Sequence, residues 1–194
     1  MSSADRVVAV VLAGGTSTRL GRPKQLVEYH GEPLVARVVR ELCASGCADI
    51  AVVTGPYREA VERAIAPWAV VQLHNPGFTE GIASSIRVAA RWAESARCGA
   101  LLLATSDQPF VCAAHVDRLV TTFERRRGRV ASRYVGVAGI PAVFPRVDFA
   151  TLLELRGDIG ARALLGSRTV ASVPFEEGAL DIDTAADAAR LLSR

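Results

Sequence analysis

The segment from Leu12 to Lys24, LAGGTSTRLGRPK, has the composition of a phosphate-binding loop. Its glycines would let backbone N–H groups approach phosphate oxygens closely. Arg19 and Lys24 follow the glycines, where their charges could stabilise a phosphoryl group during its transfer. The segment is not a P-loop, because Gly21 is followed by Arg22, and it contains no G-x-G-x-x-G dinucleotide fingerprint. The segment therefore predicts a triphosphate cradle, with a solvated surface turn as the alternative.

Carboxylates stand at two later points of the chain. Asp107 follows the apolar run 101–104, and Asp181 and Asp183 belong to the sequence Asp-Ile-Asp-Thr. A magnesium ion needs only one or two carboxylates when phosphate oxygens and water complete its coordination. We therefore assign Asp107 and Asp181 to a metal and Asp183 to structure. The alternative for this second segment is that Asp183 or Thr184 caps a helix that begins near Ala185.

A group of small polar residues follows the third predicted strand. Its members are Asn75, Gly81, Ser84 and Ser85. Their amide and hydroxyl groups could contact the base or the ribose of a nucleotide. Thr79, Ser84 and Ser85 could equally be ordinary residues at the start of a helix, so a purely structural role is the alternative.

The turn 157–162 is a second glycine-bearing turn at the start of a predicted helix. It contains Gly157, Asp158 and Arg162. The N-terminus of a helix favours acidic residues, so an arginine in the first turn would be explained by a bound anion. An exposed arginine on a helix surface is the alternative.

The elements that must position these residues alternate along the chain. Apolar runs rich in β-branched residues predict strands at 7–12, 50–54, 69–73 and 100–105, and amphipathic stretches between them predict helices at 34–45, 58–66 and 82–96. This alternation predicts an α/β fold, a three-layer αβα Rossmann-like domain with a mainly parallel central sheet. Ligands of such folds bind beyond the carboxyl ends of the strands.

The second half of the chain is less regular. A helix is predicted at 116–127, followed by added strands at 130–137 and 142–144 that cover the active-site side. Helices are predicted around 148–155 and 161–165, a further strand at 170–175 and a closing helix at 184–192. The chain has 194 residues, of which 50% are hydrophobic, and we expect one domain over residues 1–194.

Charge and cysteine usage limit the classes of partner. The net charge of +3 is small and dispersed, so we expect neither nucleic acid nor a membrane surface as partner. Cysteines 43, 47, 98 and 112 lack the C-x-x-C spacing of zinc and redox sites, and the first residues do not resemble a signal peptide. We expect a cytoplasmic protein with reduced thiols.

His30, His115 and the serines lack the spacing of a hydrolase triad or a metal site.

Taken in order, the motifs resemble those of the molybdenum cofactor nucleotidyltransferases. The residues that carry this resemblance are Leu12-Ala13-Gly14-Gly15, Arg19, Gly21, Lys24, Asn75, Gly81, Ser84-Ser85, Asp107-Gln108-Pro109 and Asp181-Ile182-Asp183-Thr184. The stretches 81–85 and 157–162 look most like the cytidylyltransferase branch, whereas Leu-Ala-Gly-Gly is typical of the guanylyltransferase branch. The resemblance therefore leaves the choice between CTP and GTP open, with CTP as the first expectation.

The resemblance implies a reaction and roles for individual residues. In that reaction the terminal phosphate of molybdopterin attacks the α-phosphate of CTP and pyrophosphate leaves, with Mg²⁺ as cofactor. The implied catalytic residues are Arg19, Lys24 and Asp107, and the implied metal ligands are Asp107 and Asp181. Nucleotide binding is implied for Leu12, Ala13, Gly14, Gly15, Lys24, Asn75, Gly81, Ser84 and Ser85, and acceptor binding for Gly157, Asp158 and Arg162.

Three other functions remain open from the sequence. The same enzyme could transfer a nucleotide to a sugar phosphate, or the fold could serve an NAD(P)H-dependent oxidoreductase. A non-enzymatic protein could bind nucleotide or molybdenum cofactor and pass the cofactor to a molybdoenzyme or its chaperone. Replacement of Asp107 by Asn separates the last of these from a transferase, because only the transferase should lose molybdoenzyme maturation in cells.

Overall fold

The computed structural model describes residues 6–18, 20–166, 170–180, 182, 186 and 187. The strands are β1 (Val7–Ala13), β2 (Glu28–Tyr29), β3 (Glu32–Pro33), β4 (Ile50–Thr54), β5 (Val71–His74), β6 (Ala100–Thr105), β7 (Val130–Tyr134), β8 (Val137–Pro145) and β9 (Ala171–Pro174). The α-helices are α1 (Leu34–Cys43), α2 (Arg58–Ile65), α3 (Ile82–Ser95), α4 (Ala113–Arg126) and α5 (Phe149–Glu154). Short 3₁₀ helices lie at Lys24–Leu26, Phe78–Glu80, Arg146–Asp148, Ala161–Leu165 and Glu176–Ala179.

The central sheet has seven strands in the order β5-β4-β1-β6-β8-β7-β9. Strands β5, β4, β1 and β6 pair in parallel, β8 is antiparallel to both β6 and β7, and β9 is parallel to β7. Only β8 therefore runs against the other strands of this sheet. The prediction of a mainly parallel sheet is confirmed.

Strand β1 is buried on both of its faces. Because side chains alternate along a strand, Val7, Ala9 and Val11 pack with α1, α2 and α4, whereas Val8 and Val10 pack with α3 and α5. All seven residues of the strand are buried, which explains its unbroken apolar sequence. Helices thus cover both faces of the sheet, and the predicted three-layer αβα architecture is confirmed.

The second half of the chain differs from the prediction in two respects. Strands β8, β7 and β9 extend the central sheet beyond β6 instead of forming a separate cover over the site. The segment Ala161–Leu165 is a 3₁₀ helix, because the five residues between Gly160 and Gly166 are too few for a stable α-helix. The helix predicted at 184–192 lies outside the described residues except for 186 and 187.

No helix in the described part of the chain has the length and apolar character needed to cross a membrane.

Candidate active site

A cavity lies beyond the carboxyl ends of β1 and β6. Its volume is about 210 Å³. Enclosed small-molecule pockets usually measure about 300–1,000 Å³, so a nucleotide would extend beyond this cavity. It is lined by Leu12, Gly14, Gly15, Thr16, Lys24, Gln25, Phe78, Gly81, Ile82, Ser85, Thr105, Ser106, Asp107 and Asp158.

The loop after β1 presents backbone donors to this cavity. Among the described residues, the N–H groups of Gly14, Gly15 and Thr16 make no hydrogen bond. Three successive unpaired N–H groups form the kind of concave donor set that binds phosphate oxygens. The loop can therefore hold an anion through its main chain.

Gly14 and Gly55 allow this loop to pack against the end of β4. A β-carbon at Gly55 would overlap the carbonyl group of Gly14, and a β-carbon at Gly14 would lie 2.9 Å from Ser85 Oγ. Both positions therefore exclude a side chain unless neighbouring atoms move. Sequence reasoning missed Gly55, whose only signal was its place directly after an apolar run.

Gln25 is a second residue that sequence reasoning missed. Its side chain is only 1% exposed. The amide Nε2 donates to the carbonyl oxygens of Ala13 and Gly15, both at 3.2 Å, and Oε1 accepts from Ser17 Oγ at 3.2 Å. One buried side chain thus links both ends of the glycine-rich turn.

Lys24 and Asp107 form an ion pair at one end of the cavity. The Lys24 ammonium donates to Asp107 Oδ2. Asp107 is 6% exposed, and its other oxygen, Oδ1, is buried without a hydrogen-bond partner among the described residues. An unpaired carboxylate oxygen is costly unless a donor or a cation compensates its charge. The residues present therefore fit a divalent cation at Asp107.

The described residues contain no group of three or more His, Cys, Asp or Glu side chains that could hold a metal.

Asp107 and its neighbour Gln108 are held by later parts of the chain. The Ile182 amide donates to the Asp107 carbonyl at 3.2 Å, and Gln108 Nε2 donates to the carbonyls of Ile140 and Gly178 at 3.1 and 3.2 Å. Arg37 Nε donates to the Pro109 carbonyl at 2.6 Å. The predicted site residues Arg19 and Asp181, and also Asp183, lie outside the described residues.

Asn75, Ser84 and Ser85 form a buried hydrogen-bonded group. Asn75 Nδ2 donates to both serine hydroxyl oxygens, at 2.8 and 3.0 Å, and Ser84 Oγ donates to the Gly81 carbonyl at 2.8 Å. Of this group only Ser85 lines the cavity, together with the neighbouring Gly81. The polar groups of Asn75 and Ser84 therefore stabilise the turn at Gly81, and Ser85 is the serine that lines the cavity.

The predicted acceptor turn lies against the N-terminus of α3. The Gly157 carbonyl accepts from the Ala83 amide at 3.1 Å. A β-carbon at Gly81 would lie 2.5 Å from both the Gly157 carbonyl oxygen and Asp158 Oδ1. Asp158 lines the cavity, whereas Arg162 is exposed and does not line it. The structure thus brings Asp158 to the other predicted residues and leaves Arg162 apart.

An ion pair strengthens the contact between these two turns. Arg87 donates to both carboxylate oxygens of Glu80, and its Nη1 also donates to the Leu155 carbonyl at 2.7 Å. Hydrogen bonding by Arg87 lowers the pKa of Glu80 to about 2. Glu80 therefore stays ionised near neutral pH and can also accept from the Gly157 amide at 3.4 Å.

The amino-acid pattern and the architecture both have matches among known proteins. The model of the MobA-like NTP transferase domain family matches residues 9–173. The crystal structure of Rv0371c from Mycobacterium tuberculosis H37Rv is 29% identical and superimposes with a TM-score of 0.83 over 98% of this chain and 100% of that one. A structure of Rv0371c in complex with manganese is 27% identical, with a TM-score of 0.79 over 97% and 98% of the two chains.

Two relatives have names that describe their activity. A probable molybdenum cofactor guanylyltransferase from Opitutus terrae is 28% identical over 150 residues, which cover 77% of this chain and 72% of that protein. The bifunctional enzyme IspD/IspF from Novosphingobium aromaticivorans is 32% identical over 127 residues, which cover 64% of this chain. The matched part is only 32% of that bifunctional protein.

Proposed function

Because the chain belongs to the MobA-like NTP transferase domain family and is a nucleotidyltransferase, we propose that it transfers CMP from CTP to the phosphate of molybdopterin and releases pyrophosphate. Transfer of GMP from GTP is the alternative, favoured by the glycine at position 14 and by the names of relatives such as the Opitutus protein. The observation that carries the proposal is the cavity lined both by the three residues with unpaired backbone donors and by the Lys24–Asp107 pair.

The main chain and Lys24 would bind the triphosphate. The N–H groups of Gly14, Gly15 and Thr16 would donate to phosphate oxygens, and the Lys24 ammonium would move from Asp107 towards the phosphates. Arg19 is proposed to stabilise the negative charge on the departing pyrophosphate together with Lys24. The attacking oxygen belongs to the acceptor phosphate, so the protein needs no nucleophile of its own.

The divalent metal is proposed to be Mg²⁺, held by Asp107 and Asp181. The unpaired, buried Oδ1 of Asp107 supports this assignment. The hydrogen bond from Ile182 to the Asp107 carbonyl supports a second ligand from this segment, since Ile182 lies between Asp181 and Asp183 in the chain. When bound, Mg²⁺ would neutralise part of the triphosphate charge and favour attack at the α-phosphate.

The base and ribose are proposed to occupy the end of the cavity formed by Gly81 and Ser85. The Ser85 hydroxyl accepts from Asn75, and among the described residues its own hydrogen has no acceptor, so it can donate to a nucleotide. Asn75 and Ser84 contribute by fixing this hydroxyl and the turn. The acceptor is proposed to bind over Gly157 and Asp158, with Arg162 as a further contact at the surface.

The decisive experiment measures pyrophosphate release from CTP and from GTP in the presence of Mg²⁺ and molybdopterin. We expect release only when nucleotide, metal and acceptor are all present. Absence of turnover with both nucleotides would overturn the proposal. Turnover with a sugar phosphate in place of molybdopterin would retain the transferase and replace the acceptor.

A variant of Asp107 separates the enzyme from a carrier protein. The Asp107→Asn variant should abolish molybdoenzyme maturation in cells if the protein transfers a nucleotide. The exposed Glu94 on α3 does not line the cavity, so Glu94→Gln is the matched control and should leave maturation intact. Unchanged maturation in Asp107→Asn would favour a non-catalytic carrier.

A further inference from the structure

The side chain of Gln25 is enclosed within the phosphate-binding loop. It is 1% exposed, and both of its amide ends are engaged: Nε2 donates to the carbonyls of Ala13 and Gly15, and Oε1 accepts from Ser17. Gln25 follows Lys24 in the chain, and the Lys24 amide donates to the same Ser17 hydroxyl oxygen at 3.0 Å. The glutamine and the serine thus connect the glycines to the residue that carries the ammonium group.

The two carbonyl contacts determine the direction of the backbone donors. In a trans peptide the C=O and N–H groups point to opposite sides. Because the carbonyls of Ala13 and Gly15 turn towards Gln25, the N–H groups of Gly14 and Thr16 point away from it. These N–H groups are among the unpaired donors of the loop.

The Ala13–Gly14 peptide is also held by the end of β1 and by the close packing of Gly14 against Gly55, whereas the Gly15–Thr16 peptide has few other restraints. No heavy atom would lie within 4 Å of a β-carbon at Gly15, so the chain there has open space around it. A glycine also tolerates more backbone conformations than any other residue. Rotation of the Gly15–Thr16 peptide would turn the Gly15 carbonyl oxygen towards the bound phosphates, where two negative groups would repel each other.

We infer that Gln25 is a positioning residue for the nucleotide: its amide holds the carbonyls of Ala13 and Gly15 away from the triphosphate, so that the loop presents only donors. Through Ser17 it also holds the backbone of Lys24, whose ammonium group can then reach either Asp107 or the phosphates. This inference rests on the proposed function, because it assigns the loop to the phosphates of a nucleoside triphosphate.

The test compares Gln25→Met, which keeps a similar side-chain length without an amide, with Gln25→Glu, which has no donor for the two carbonyls when ionised. Gln72→Met is the matched control, since Gln72 is exposed on β5 and does not line the cavity. For each protein we would measure the Kd of CTP and GTP with Mg²⁺ by calorimetry, kcat and KM for the preferred nucleotide, and the melting temperature without ligand.

The loss of two hydrogen bonds predicts that Gln25→Met raises Kd and KM for the nucleotide about tenfold, with kcat at saturation reduced less than about threefold. Gln25→Glu should raise Kd further, because its carboxylate repels both the carbonyls and the phosphates. Gln72→Met should match the wild type. The Ser17→Ala variant removes one link of the same network and should shift Kd in the same direction, so it provides the test if Gln25→Met does not fold.

Two results would overturn the inference. One is a lower melting temperature with unchanged Kd and KM, which would make Gln25 important for stability alone. The other is a fall in kcat at unchanged KM. The wild-type protein tests the proposed function separately: if it binds neither CTP nor GTP, that function and the inference both fail, whereas equal binding by wild type and Gln25→Met refutes only the inference.

Discussion

Replacing Gly81 by alanine tests how the N-terminus of α3 is joined to the turn at Gly157. Gly81 has φ +114° and ψ −177°, a region of backbone conformation that is essentially restricted to glycine. The added β-carbon would lie 2.5 Å from the Gly157 carbonyl oxygen and from Asp158 Oδ1. Alanine therefore introduces both backbone strain and a collision with a neighbouring main chain.

The size of the effect follows from these two contributions. A residue held in such a backbone conformation costs about 1–3 kcal/mol. Moving the Gly157 carbonyl to relieve the collision would break its 3.1 Å hydrogen bond with the Ala83 amide, at a cost of about 0.5–1.5 kcal/mol. Gly81→Ala should therefore lower the free energy of unfolding by about 1.5–4.5 kcal/mol, which corresponds to about 3–18 °C in Tm.

The assay is urea and thermal unfolding of the wild type and the variant, followed by circular dichroism. Gly166→Ala is the matched control, because Gly166 has φ −74° and a β-carbon there would meet no heavy atom within 4 Å. We expect the control to differ from wild type by less than about 0.5 kcal/mol. A loss below about 1 kcal/mol in Gly81→Ala, or an equal loss in the control, would refute this account of the contact.

Three further variants test other parts of the molecule. Asp107→Asn should reduce kcat for pyrophosphate release at least about hundredfold, because it removes charge at the metal and at the reacting phosphate; kcat within tenfold of wild type would contradict the assigned role. Burial lowers the pKa of His115 from 6.5 to about 4, so the unfolded chain binds the proton more readily and stability should fall as pH drops from 6.5 towards 4. His115→Gln should flatten that decline in urea unfolding between pH 7 and 4, and an unchanged slope would exclude the histidine as its source. Gly14→Ala should displace Ser85 Oγ from Asn75 and so destabilise the protein. The loss of stability caused by Gly14→Ala should be smaller by at least about 0.5 kcal/mol in a Ser85→Ala background than in the wild type. Additive losses in the double variant would argue against the 2.9 Å contact.

Much of the architecture could be predicted from residue patterns because burial on a sheet has a simple periodic consequence. The unbroken apolar run of β1 indicated a strand covered on both faces, and the structure places all seven of its residues in the interior. The later segment Ala161–Leu165 was harder, since five apolar and basic residues between two glycines are compatible with either an α-helix or a 3₁₀ helix. The position of β8, β7 and β9 in the sheet depends on pairing with β6, which no local pattern encodes.

For the site, the sequence by itself determined which residue types follow the strands: a glycine-rich loop, Lys24, Asp107 and the serines near α3. These residue types can be recognised in the sequence because phosphate and metal binding need a small set of donors and acceptors. Only the tertiary structure decided that Gln25 supports the loop, that Gly55 packs against Gly14, and that Asp158 meets Gly81. The physical reason is that such contacts join segments distant along the chain, and a hydrogen bond or a close backbone approach leaves no periodic trace in either segment.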